Sequence, residues 1–103
     1  MEQMQIAKTI IEQMGGFGRL GAMVNGRDYM ARDAGVQFSF SGKRGMNKCV
    51  VDLDFATDTY SMEFWFFNKR TGECGRVGDR AEGLYCDMLK PYFEQRTGLY
   101  LSL

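Results

Sequence analysis

The sequence predicts an α+β fold, a two-layer sandwich in which N- and C-terminal helices pack on an antiparallel sheet of four or five strands. Three observations lead to it. Residues 2–14 carry apolar side chains at helical spacing, residues 47–67 alternate with period two on either side of a turn, and helical spacing returns between Leu84 and Phe93. The chain of 103 residues is a single α+β domain, 1–103, large enough to bury about two-thirds of its unfolded surface.

In the first helix, Ile6, Ile10 and Met14 repeat every fourth position, with Ala7 and Ile11 beside them and polar residues opposite. Gly15-Gly16 supplies a left-handed cap. The glycine-rich stretch Phe17–Val24 reads as a short strand, and Asn25-Gly26 as a turn of the kind that closes tight hairpins. Tyr29–Arg32 and Val36–Phe40 are strands around Asp33-Ala34-Gly35, the second with Val36, Phe38 and Phe40 on one face. A basic connection, Gly42–Asn47, leads into a hairpin. Its expected core face is Val51, Leu53, Phe55, Tyr60, Met62, Phe64 and Phe66. Asn68–Gly78 reads as a loop containing Lys69, Arg70 and Arg76. The last helix should begin at an Asp79 cap, with Glu82 at capping-box spacing. It buries Leu84, Tyr85, Met88, Leu89, Tyr92 and Phe93, is kinked by Pro91, and stops at Thr97-Gly98. The tail Leu99–Leu103 is apolar enough to pack back onto the domain.

Composition narrows the function. Thirteen basic and thirteen acidic residues cancel, which disfavours both a general nucleic-acid binder, usually basic, and an acidic DNA mimic. No run of apolar residues is long enough to span a bilayer, and the N-terminus lacks the pattern of a secretory signal. Three cysteines, Cys49, Cys74 and Cys86, are an odd number at long spacings, so free thiols of a cytoplasmic protein are expected. The absence of histidine removes Cys–His and Ser–His–Asp nucleophilic arrangements from this chain. No enzyme activity, cofactor or metal is expected.

Gly16-Phe17-Gly18-Arg19-Leu20-Gly21 matches G-x-G-x-x-G, but a helix precedes it where the dinucleotide fingerprint requires a strand. On the outer face of the hairpin, a turn centred on Thr57 and Asp58 would set Asp52 opposite Glu63, Asp54 opposite Ser61, Val50 opposite Trp65 and Lys48 opposite Phe67. Opposed carboxylates would hold a cation or be relieved by nearby Lys or Arg. Trp65 and Phe67 break the polar pattern of that face. Either a helix or the tail covers them, or they form a partner surface. The candidate binding residues are therefore Trp65, Phe67, Arg44, Lys69 and Arg70.

Both ends of the chain carry further information. Lys8-Thr9-Ile10-Ile11-Glu12-Gln13-Met14-Gly15-Gly16 at the front, and Tyr85-Cys86-Asp87-Met88-Leu89, Phe93-Glu94-Gln95 and Thr97–Leu103 at the back, resemble a family of small proteins of bacteriophages and mobile elements. The resemblance covers about a third of the chain and implies origin rather than mechanism. The resulting expectation is a non-enzymatic protein, cytoplasmic in a bacterial host, that binds and inhibits a host protein or nucleoprotein complex as an anti-CRISPR protein does. The alternative is a small nucleic-acid-binding accessory protein using the same aromatic and basic residues.

Overall fold

The structure, a computed structural model, describes residues 3–42 and 45–101. Helix α1 (Gln3–Gln13) buries Ile6, Ala7, Ile10 and Ile11, the stripe its spacing dictates. It ends where Gly15 and Gly16 take positive φ of 113° and 93°, a conformation that is easy only without a Cβ.

Phe17–Val24 is a helix, α2, and not a strand. Leu20 and Val24 lie four apart and are both buried, so helical period wins over glycine content. Gly18 and Gly21 fall on its exposed side. Asn25 adopts the left-handed conformation at φ 56°, and the Asn25 and Gly26 amides donate to the Gly21 and Leu20 carbonyls at 3.2 and 2.9 Å. The Asn-Gly pair therefore caps a helix instead of closing a hairpin.

The antiparallel sheet runs β1 (Arg27–Ala31), β2 (Gly35–Ser39), β3 (Lys48–Asp54), β4 (Thr59–Phe67). Two short strands share the far edge of β4. β5 (Cys74–Arg76), inside the Asn68–Gly78 segment expected to be all loop, pairs with Trp65–Phe67, and β6 (Ala81–Leu84) pairs with Tyr60–Met62. The stretch expected to start the last helix is thus a strand. Gly83, with φ 71°, sits in its middle, and edge pairing to β4 overrides the cap-like spacing of Asp79 and Glu82.

A 3₁₀ turn (Cys86–Met88) then leads into α3 (Leu89–Thr97). Pro91 is the third residue of α3, in the turn whose N–H groups have no intrahelical partner, so no kink is required. Gly98 closes the helix in the left-handed region, its N–H donating to the Glu94 carbonyl at 2.9 Å. Within the tail, Leu101 is fully buried and its amide donates to Glu94 Oε2 at 2.8 Å.

All three helices bury apolar residues on one sheet face, with Val36, Phe38, Phe40, Cys49, Val51, Tyr60, Met62 and Phe64, while Met4 of α1 and Phe17 of α2 stay exposed. The Phe93 ring of α3 lies 5.1, 5.8 and 6.1 Å from those of Phe40, Phe64 and Phe38. Phe55 and Phe66, expected in this core, are 64% and 38% exposed, and Tyr85 and Met88, expected on the buried stripe of the last helix, are 61% and 41% exposed. Phe55 belongs to the hairpin turn, Phe66 lies near the open end of β4, and Met88 falls in the 3₁₀ turn. The layers are helices below and an open sheet face above.

Candidate binding face

Directly opposed residues in antiparallel strands share a face, so the register defines the open side row by row. The β3–β4 turn spans four residues, Phe55 to Asp58, which shifts the expected register by two. Lys48 faces Trp65, Val50 faces Glu63, and Asp52 faces Ser61. Asp52 and Glu63 are consequently not opposed.

The end of the face toward the β3–β4 turn is electrostatically closed. Arg32 Nε contacts Asp52 Oδ1 at 3.0 Å, Arg80 donates to Ser61 Oγ at 2.9 Å, and Arg80 also lies 3.6 Å from Glu63 Oε1. Asp54 Oδ1 accepts the Ala56 amide at 3.0 Å, a local turn bond. Each of the three carboxylates Asp52, Asp54 and Glu63 thus has its own protein partner. Among the described residues no group of three Asp, Glu or Cys forms a metal cluster. The middle row is Met30–Gln37–Val50–Glu63.

The third row differs. It reads Arg27–Ser39–Lys48–Trp65–Arg76 across five strands. Among the described residues no carboxylate lies within ion-pair distance of Arg27, Lys48, Lys69, Arg70 or Arg76. Trp65 and Phe67 are half-buried by sheet neighbours on the face opposite the helical core. Trp65 Nε1 donates to Glu63 Oε2 at 3.2 Å, which orients the indole. Lys48 places its ammonium 5.0 Å from the Phe67 ring centroid, a cation–π contact.

Asn47 holds the end of β4 in place: its Nδ2 donates to the Phe67 carbonyl at 2.8 Å and its Oδ1 accepts the Phe67 amide at 2.9 Å. Beside them is a shallow hollow of about 410 Å³, lined by Arg27, Asp28, Met30, Lys48, Phe67 and Lys69 among others.

Of the residues expected from sequence, the fold gathers Trp65, Phe67 and Lys69. Arg70 stands in the adjoining exposed turn, its amide bonded to Asn68 Oδ1. Arg44 lies outside the described residues. Arg27 and Arg76 were not singled out as site residues, because each joins the row through cross-strand pairing on a different edge. Asn47 was missed too, although an Asn beside a strand start is the kind of residue that can imitate a backbone partner.

A second, larger groove of about 840 Å³ lies around the β3–β4 turn and β6, with Phe55, Asp54, Arg80, Glu82 and Tyr85 on its walls. The G-x-G-x-x-G segment opens α2 directly after α1, so no strand precedes it. No helix is long and apolar enough to cross a membrane among the described residues. Compared with protein-family models, with curated proteins and with solved structures, the chain matches none.

Proposed function

We propose that this chain is a non-catalytic protein of a phage or mobile element that binds a host macromolecular complex and inhibits it, in the manner of an anti-CRISPR protein. The observation that carries the binding role is the open sheet face. The three helices contribute their buried apolar residues to the core beneath the sheet, while Trp65, Phe67, Met30 and Val50 stand above it, beside cations that have no carboxylate within ion-pair distance among the described residues. Aromatic anchors with a polar rim are the composition of partner surfaces. The lack of histidine and the local pairing of Asp52, Asp54 and Glu63 support binding over catalysis. The resemblance of both chain ends to phage and mobile-element proteins supports a partner in the bacterial host.

The test is capture from a bacterial lysate with the tagged protein, Trp65→Ala and Lys8→Glu, the last a control exposed on α1. A complex retained by the parent and by Lys8→Glu but lost from Trp65→Ala is expected, and its activity should fall as the parent protein is added. No retained complex, or one held equally by Trp65→Ala, overturns the proposal.

A further inference from the structure

We infer that the row Arg27–Lys48–Trp65–Arg76, with Phe67 beside it, is a binding site for single-stranded nucleic acid. The inference rests on the open face being the interaction surface, as proposed above, but not on the identity of any host complex.

Charge distribution is the first argument. The net charge of zero averages over two unlike ends of one face. At the β3–β4 turn, Arg32 and Arg80 are matched by Asp52 and Glu63. Along the last row, three cations share one line with no carboxylate among its members. A concentrated cationic line favours a polyanion whose charges also come in a line.

Geometry is the second. Arg27 and Arg76 sit four inter-strand spacings apart, about 19 Å at the usual strand separation, with Lys48 between them. Trp65 stands within the row, between Lys48 and Arg76, and Phe67 is one pleat further along β4. Phosphates would meet the cations while bases stack on the two rings, the combination that single-strand sites use without reading sequence. Stacking needs unpaired bases, which excludes a duplex on this shallow sheet.

Pre-organisation is the third. The indole is tied to Glu63, Phe67 is held through Asn47 on both backbone groups, and Lys48 is drawn to the Phe67 ring. The hollow beside Phe67 carries three cations, Arg27, Lys48 and Lys69, against one carboxylate, Asp28. Arg27 is steadied by a 3.0 Å bond to the Asn25 carbonyl, and the hollow is large enough to accept part of a ligand.

The experiment uses the intact protein and fluorescein-labelled oligo-dT, read by anisotropy. Emission from Trp65, the only tryptophan, is followed in parallel with unlabelled oligo-dT. Saturable binding with quenching of Trp65 is expected. Three phosphate contacts give a log–log salt slope of about −2, at roughly −0.7 per contact on a single strand. Trp65→Ala should weaken binding roughly 10- to 100-fold and Trp65→Phe should recover most of it. Arg76→Glu, on the exposed edge strand, leaves the core untouched and should lower both affinity and slope. Absence of binding at low salt overturns the inference, as do full affinity in Trp65→Ala and equal displacement by polyglutamate, which would mark an acidic protein partner. If oligo-dT fails while lysate capture stays Trp65-dependent and nuclease-resistant, the nucleic-acid inference falls and the host-complex proposal stands. If oligo-dT binds and nothing is captured, only the host-complex proposal falls.

Discussion

Asn47 pairs with Phe67 as one strand pairs with another: its amide side chain donates to the Phe67 carbonyl at 2.8 Å and accepts the Phe67 N–H at 2.9 Å. The Asn47 backbone N–H meanwhile donates to the Trp65 carbonyl at 2.9 Å. One residue thereby prolongs the β3–β4 ladder past the start of β3 and holds both aromatic residues of the open face. Asn47→Ala leaves a half-buried donor and acceptor unmatched, costing about 1–3 kcal/mol. Urea denaturation should show that loss, and hydrogen exchange should quicken at Phe67 before it does at Met62.

The core and the β3–β4 turn differ in what loss of a ring costs. Phe93 is fully buried among Phe38, Phe40 and Phe64, so Phe93→Ala should cost about 3–5 kcal/mol. Phe55, 64% exposed, should change stability by no more than about 0.5 kcal/mol when replaced by Ala. Paired denaturation curves check both.

Two glycines are distinguished by the space around them. A Cβ on Gly35 would overlap the Val51 carbonyl oxygen and Asp52, so Gly35→Ala must push β2 from β3 and lower the melting temperature. A Cβ on Gly18, on the exposed side of α2, meets nothing within 4 Å. Gly18→Ala should raise stability by about 0.5–1 kcal/mol.

Alkaline pH should unfold the protein through groups that burial keeps neutral. Burial holds the Cys49 thiol well above its ordinary value of 9.0, and raises the hydroxyls of Tyr29 and Tyr60 from 10.0. In the unfolded chain these groups ionise at their ordinary values, so above pH 9 the unfolded state holds fewer protons. The stability they contribute is fully present below that point and is lost as pH rises toward the folded values. Urea midpoints measured from neutral to alkaline pH should fall, and Cys49→Ala should flatten the part that begins near 9. A thiol reagent should find Cys74 and Cys86, both exposed, in the native protein and reach Cys49 only on unfolding.

Glu63 orients Trp65 and pairs with Arg80, so it is the acidic neighbour nearest in role to the cationic row. Glu63→Gln keeps an acceptor for the indole, removes the negative charge and releases Arg80. If the row binds single strands, oligo-dT affinity should rise about two- to fivefold, the effect of one charge near water, with a steeper salt dependence.

Helix-plus-sheet class, the α1 stripe and the alternation of β2 to β4, apart from Phe55 and Phe66 at the ends of the hairpin, were legible in local periodicity, because each element buries one face. The packing of the tail through Leu101 was legible in its apolar composition. Phe17–Val24 misled because its glycines mask a helical stripe of only Leu20 and Val24. The Ala81–Leu84 segment misled because its pairing partner, Tyr60–Met62, lies some twenty residues earlier. Trp65 and Phe67 announced themselves by breaking a polar face, yet sequence could not say whether a helix covered them. That depended on which side of the sheet all three helices chose. Composition by itself determined the zero net charge and the absence of histidine, as sums over residues. Only the tertiary structure decided that charge is sorted along one face, with matched pairs at the turn and a cationic row at Trp65. Cross-strand register joins residues from five strands, and a two-residue shift of that register changes every partner.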